Sequence, residues 1–213
     1  MHKHDAAGAM DSNPSPNHKM MAAWHDGWYA LAKRLDSPNY GPRPRQAEID
    51  LVVIHSISLP PGRYGGGQVQ ALFTNALDWD AHPYFQTIRG IQVSAHFFIA
   101  RDGLVWQFVS CDQRAWHAGA SSFQGRTNCN DFSIGIELEG LEGATFESEQ
   151  YASLAQLCQG LRSRYPIQSI VGHEHVAPGR KQDPGTGFDW PHLAQSVAWE
   201  PQAFPFLQDK NSA

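Results

Sequence analysis

The sequence predicts an α+β fold, a central mixed β-sheet flanked by helices, and three observations carry that expectation. The apolar run Leu51-Val52-Val53-Ile54 has the character of a buried strand. Residues 95–109 form two strand patterns joined at Asp102-Gly103, a strong hairpin signal. Ser133-Ile134-Gly135-Ile136-Glu137-Leu138-Glu139 alternates strictly, and period two is the strand period. Helical stretches fall between and after these segments, which fits helices packed around a mixed sheet.

Taken in order, the patterns predict an amphipathic helix around Met20 to Leu35 and a strand at 51–56. A helical stretch from Gln68 to Asp78 follows, then the strand pair within 95–109 and the strand beginning at Ser133. A helix from Ser148 to Tyr165 comes next; Glu147-Ser148-Glu149 supplies a cap and acidic charges that favour the helix N-terminus, and Pro166 ends it. The order closes with a strand at Ser169 to Gly172, a loop, and a short helix from Trp190 to Val197. Gly65-Gly66-Gly67 is expected to make a mobile loop near the entrance of a site.

A chain of 213 residues, 41% hydrophobic and 17% charged, buries a sizeable core without splitting. One domain is expected over 21–205, with a flexible leader at 1–20 and a C-terminal tail at 206–213. The leader is rich in Asn, Pro, Ser and His and lacks the continuous apolar run of an export signal. Three cysteines, Cys111, Cys129 and Cys158, are an odd number at unrelated spacings, which suits a reducing compartment and points to the cytoplasm. A net charge of −5 with no lysine or arginine run argues against a nucleic-acid partner. No apolar stretch approaches the roughly 20 residues that cross a bilayer.

The segment from Gly172 to Gly185 concentrates the chemistry, packing His173, Glu174, His175, Lys181 and Asp183 among loop-forming prolines and glycines. Pro178 and Gly179 disfavour a continuous helix from His173 to Asp183, so the two ends meet by folding of a loop. His55 follows the apolar run at 51–54, and a histidine at a sheet end is held with little positional error. Two imidazoles and one carboxylate, His55, His173 and Asp183, match a tetrahedral zinc site that keeps one position open, the pattern of a catalytic rather than a structural metal. Alternation puts Ser133, Gly135, Glu137 and Glu139 on one strand face. Glu137 is the candidate general base for amide hydrolysis, and Lys181 the candidate stabiliser of charge growing on the carbonyl oxygen.

Eleven histidines compete for these roles. His2, His4, His18 and His25 lie in or next to the polar N-terminal segment and are expected in solvent. His82 and His192 each adjoin a proline and suit helix ends or loops. His96 and His117 sit in strongly patterned segments, either as buried hydrogen-bonded residues near the site or as ligands. His175 is the direct rival of His173, and Glu139, whose plain reading is a solvated strand end, is the rival of Glu137. Trp116 is read equally as a stacking face for a sugar ring and as a packing anchor.

Five segments in one order carry a resemblance to the zinc amidase family of N-acetylmuramoyl-L-alanine amidases, spanning most of 50–195. They are Val53–Gly62, Val93–Phe97, Arg114–Gly119, Cys129–Gly140 and the loop beginning at Gly172. The chain looks most like the branch that cleaves anhydromuramyl peptides. The resemblance implies zinc on His55, His173 and Asp183, with Glu137 and Lys181 catalytic. It also implies a muropeptide substrate, a zinc groove at one edge of the sheet, and a cytoplasmic role in recycling cell-wall fragments. Related phage amidases and peptidoglycan-recognition proteins typically carry cysteine where Asp183 stands. The chain departs from the pattern at Ser56, where the family usually has asparagine, and at Gln92 and Asn128, near which it has arginines. Ser56 is expected to touch substrate, and Arg126, two positions from Asn128, to hold a peptide carboxylate. A lytic amidase acting on intact wall and a non-catalytic muropeptide-binding module are the rival functions; the base, the lysine and the three ligands together speak against the second.

Overall fold

Parallel pairing of neighbouring strands builds the centre of the molecule, for which a computed structural model describes residues 23–208. In chain order the main sheet contains β1 (Lys33–Arg34), β2 (Leu51–Ile57), β3 (Phe97–Ile99), β4 (Val105–Gln107), β5 (Ser133–Glu139) and β6 (Ser169–Gly172). Their spatial order is β6-β2-β5-β3-β4-β1. Strands β6, β2, β5 and β3 run parallel, β4 is antiparallel to β3, and β1 is parallel to β4, so the sheet is mixed as predicted. The helices are α1 (Gln68–Phe73), α2 (Pro83–Thr87), α3 (Ser148–Arg164), α4 (His173–Val176), α5 (Trp190–Val197) and α6 (Pro205–Gln208).

Alternation explains which face each strand residue serves. Val52 and Ile54 of β2, and Ile134, Ile136 and Leu138 of β5, pack with Leu154, Leu157 and Leu161 of α3 and Leu193 and Val197 of α5. Leu51 and Val53 face the other way, toward Phe123, Phe132 and Val176. Strand β5 is buried along its whole length, although its second face consists of Ser133, Gly135, Glu137 and Glu139. Helix α3 starts at the predicted point: Gln150, fully buried, accepts from the Glu147 amide and donates to the carbonyls of Ile99 and Glu139, tying the helix start to two strands.

Two predicted helices are corrected. The helix expected from Met20 to Leu35 is, over the described residues, a hairpin pairing Trp24–His25 with Trp28–Tyr29, followed by β1. Trp24, Trp28, Leu31 and Leu35 fall at helical spacing, but Asp26 and Gly27 both adopt positive φ, 48° and 75°, and make a tight hairpin turn. A Cβ at Gly27 would stand 2.2 Å from Ser110 Oγ, so the turn needs glycine. The turn delivers Trp24 edge-on to Phe97 and Tyr165, while Leu31 remains exposed. The helix expected to reach Asp78 ends at Phe73, because Asn75 takes a left-handed conformation (φ 59°). The hairpin at Asp102-Gly103 forms with Phe98 opposite Trp106, Gly103 taking φ 81°. The leader at 1–20 lies outside the described residues, as do 209–213 of the tail; residues 206–208 belong to α6.

Arg43 joins three segments that the sequence did not connect. Its guanidinium donates to the carbonyls of Cys111, Asn130, Asp131 and Ser133 at 2.9–3.1 Å. Burial draws its pKa down to about 10, which still leaves the charge in place at neutral pH. Arg43→Ala orphans these carbonyls together, and a loss of about 3 kcal/mol of stability is expected, read as a lower denaturant midpoint at unchanged slope.

Candidate metal centre and substrate cleft

Strand register brings the distant residues of the site together. Glu137 of β5 lies directly beside His55 of β2, and Gly172 of β6 pairs with Ile54, so His173 emerges at the same sheet end. His55 sits within β2 rather than at its exit, since the strand runs on to Ile57. One turn of helix α4 carries His173 before the chain turns at Pro178 and Gly179 and returns to Asp183, whose carbonyl accepts from the Glu174 amide. The loop thus closes on itself as predicted.

The three expected ligands converge. His55 Nδ1 lies 2.9 Å from His173 Nδ1 and 3.2 Å from Asp183 Oδ2, and His173 Nδ1 lies 3.1 Å from the same oxygen. All three residues are buried, and among the described residues they form the one group arranged to hold a metal ion. His173 Nε2 donates to the Ala118 carbonyl at 3.0 Å, so in the neutral ring Nδ1 presents a lone pair. Two imidazole nitrogens and an acid oxygen directed at one buried point suit a divalent cation with nitrogen and oxygen preferences.

His175 lies outside this group: its Nδ1 accepts from the Gly172 amide, and its ring stacks on Phe206 at 4.1 Å. Arg180 closes the loop from outside, donating to the carbonyls of Ala118 and Ala120.

Electrostatics separates the acidic groups. Burial acts to raise Asp183, but the His173 and His55 rings at hydrogen-bond distance, when they carry their protons, outweigh it and hold the carboxyl well below the usual range. Glu137 goes the other way: burial pushes it well up, the Asp183 charge adds to this, and Lys181 opposes. Glu137 Oε1 lies 4.0 Å from His55 Nδ1, and its Oε2 is buried with no hydrogen-bond partner. Burial also takes His55 down to about 4, so its ring is neutral. The surroundings thus drive the two carboxyls apart, leaving an ionised Asp183 near a Glu137 of raised proton affinity.

These groups open onto a cleft of ≈ 330 Å³. His55, Glu137, His173, Lys181 and Asp183 share it with an apolar wall that includes Tyr84, Ile88 and Trp116. Trp116 is half-buried in that wall, and Ser56 lines the cleft with a buried hydroxyl that has no partner. The Lys181 side chain is exposed into it. Arg126 is not brought to the site: its guanidinium pairs with Asp50 at 3.0 Å and lies 3.9 Å over the Phe132 ring, beside a separate groove. Glu139 is no solvated strand end. It is buried and accepts from the amides of Gly65 and Arg101. The glycine loop at 65–67 is therefore tied to β5, and none of the three glycines lines the cleft.

Two histidines left open by the sequence now have places. His96 Nδ1 accepts from the Gly135 amide and lies outside the ligand group. His117 Nδ1 lies 2.9 Å from His55 Nε2, and its Nε2 lies 3.2 Å from Ser133 Oγ. The ring of His117 fills the notch at Gly135, where a Cβ would meet it at 2.4 Å.

Comparison with known proteins agrees with this geometry. Residues 45–186 match the Amidase_2 family, N-acetylmuramoyl-L-alanine amidase. The chain is 52% identical over 167 residues to the 1,6-anhydro-N-acetylmuramyl-L-alanine amidase AmpD of Citrobacter freundii, covering 78% of this chain and 89% of that protein. It is 49% identical over 174 residues to AmpD of Salmonella typhimurium (strain SL1344), covering 81% and 93%. A crystal structure of a selenomethionine AmpD derivative superimposes with a TM-score of 0.79 at 50% identity, covering 81% of this chain and 98% of that one. The amidase AmiD from E. coli, solved with anhydro-N-acetylmuramic acid-L-Ala-D-gamma-Glu-L-Lys, is 32% identical with a TM-score of 0.52, covering 72% and 60%. A family match over two thirds of the sequence and half identity to these enzymes over most of it show that the chain belongs to the N-acetylmuramoyl-L-alanine amidase family.

Proposed function

We propose that this protein hydrolyses the amide between the lactyl carbonyl of a 1,6-anhydromuramyl sugar and L-alanine, as a zinc-dependent step of cell-wall recycling in the cytoplasm. The observation that carries the reading is the placement of Glu137 beside the His55–His173–Asp183 group in a cleft with an apolar wall. The anhydro preference is supported by the names of the relatives at about half identity. The cytoplasmic setting is supported by three buried free thiols; no helix among the described residues is long and apolar enough to cross a membrane.

When bound, zinc would supply Lewis acidity toward the scissile carbonyl and the attacking water. Glu137 takes the proton of that water as its oxygen bonds to the carbonyl carbon. A carboxylate whose proton affinity is raised by burial is a stronger base than an ordinary one. As the carbon–nitrogen bond breaks, Glu137 returns the proton to the departing amine of L-alanine, leaving a lactyl carboxylate and a free peptide. Lys181 presents an ammonium to the negative charge that gathers on the carbonyl oxygen. Trp116 offers its indole to the apolar side of the sugar, and the unpartnered Ser56 hydroxyl accepts a polar group of the substrate.

Metal analysis of the native chain, with turnover of anhydromuramyl tripeptide and of intact peptidoglycan measured side by side, tests this reading. One zinc per chain and rapid cleavage of the anhydro substrate with little action on intact wall are expected. Preference for intact wall would move the enzyme to the lytic class, and no cleavage of either would leave a binding module. Lys181→Met is expected to lower kcat about 10²-fold with a smaller change in KM.

A further inference from the structure

We propose that His117 and Ser133 are positioning residues that fix which nitrogen of His55 is free to hold the metal, an inference that rests on the metal-centre reading above. The chain of hydrogen bonds starts at a group that only accepts. The Cys129 carbonyl lies 2.6 Å from Ser133 Oγ, so the serine hydroxyl donates to it. Ser133 Oγ then accepts, and the atom within reach is His117 Nε2 at 3.2 Å, which carries its ring's proton. His117 Nδ1 is left with a lone pair and accepts from His55 Nε2 at 2.9 Å. His55 therefore holds its proton on Nε2 and turns a bare Nδ1 toward His173 and Asp183.

The relay is built to hold one arrangement. Ser133, His117 and His55 are all buried, so water has little access to replace these donors and acceptors. The rings of His55 and His117 meet at 86°, edge to face, with centroids 5.1 Å apart. Gly135 leaves room for the His117 ring between β5 and His55, and His96 packs against its other side with centroids 5.7 Å apart. His173 has its own, shorter lock in the Ala118 carbonyl. Both imidazole ligands are thus oriented through the nitrogen remote from the metal, one by a carbonyl directly and the other by a carbonyl two side chains away.

Three substitutions separate this role from packing. His117→Asn keeps an acceptor oxygen near the position of Nδ1 but leaves space in the notch, whereas His117→Phe fills the notch and offers no acceptor to His55 Nε2. Zinc affinity, measured by competition with a chromophoric chelator, is expected to fall roughly 10- to 100-fold in His117→Phe and only a few-fold in His117→Asn, with Ser133→Ala in between. A packing role predicts the opposite order for the first two. Nitrogen spectra of the native zinc-loaded protein are expected to place the His117 proton on Nε2, which needs no variant to fold. Zinc on the native chain with a His117 proton on Nδ1, or with His117→Phe binding as tightly as His117→Asn, would overturn the inference alone. A native chain that takes up no zinc would overturn the metal-centre reading and this inference with it.

Discussion

Glu137→Gln is expected to lower kcat by about 10³- to 10⁴-fold while the protein retains the proposed zinc and binds substrate with little change in KM. Glutamine matches the shape of the side chain but cannot accept the proton of the attacking water or return it to the leaving amine, and general base and acid assistance are both lost. The carboxylate is not among the three ligand residues, so metal content should not follow activity. The same substitution has a stability effect of opposite sign. In the metal-free folded chain the Glu137 carboxyl sits well above its ordinary value of 4.5, because burial disfavours the charge. A group raised on folding contributes stability below its unfolded pKa and loses it as pH climbs through the folded value. Glutamine does not titrate, so the metal-free variant should be the more stable at neutral pH, by about 1 kcal/mol or more, roughly 2–4 °C in Tm. The difference should close on acidification toward 4.5. Paired melting curves across pH check this, and a variant that melts at or below the native chain at neutral pH would contradict it. Loss of rate with gain of stability marks a group kept for chemistry at the expense of the fold.

Removal of the proposed metal is expected to have the second large effect. A chelator is expected to abolish turnover, and stoichiometric zinc to restore it. His173→Ala should not recover on addition of zinc, because one of the three proposed ligands is gone. His55 and His173 stand 118 residues apart in the chain, so an ion held between them ties β2 to the loop after β6 and acts only in the folded state. At free zinc a thousandfold above Kd such binding stabilises by about 4 kcal/mol. For a chain of this size that corresponds to a rise in Tm of roughly 10 °C. Calorimetry with and without zinc reads it directly; turnover that survives exhaustive chelation would reject a metal mechanism.

Local patterns made the sheet legible. Apolar runs and period two identified β2 and β5, Pro166 and the acidic cap bounded α3, and Pro178-Gly179 announced the returning loop. The convergence of His55, His173 and Asp183 was legible because side chains able to hold a metal were concentrated next to those elements. What stayed hidden depended on where segments meet. Trp24, Trp28, Leu31 and Leu35 imitate a helical stripe, and only the positive φ of Asp26 and Gly27 shows that a turn prevails. Nothing local distinguishes His117 from His96. The first touches His55 and the second a strand amide because of a register fixed far away in the chain. Arg126 had suitable chemistry but lines a separate groove, held by Asp50 and Phe132. Arg43 gave no signal because its partners, apart from His96, are carbonyls, which every residue carries.

The notch at Gly135 also solves a problem of alignment. Sliding β5 by one residue against its neighbours would turn its apolar side chains away from α3, and hydrophobicity forbids that. Sliding it by two would keep every apolar residue inward, so burial alone does not distinguish the native pairing from that slip. A two-residue slip would, however, present Ser133 or Glu137 to the ring of His117, where even a Cβ at Gly135 would stand within 2.4 Å. The missing side chain therefore works as an index mark on the central strand. By admitting the ring at one setting, it selects the alignment in which Glu137 comes to rest beside His55.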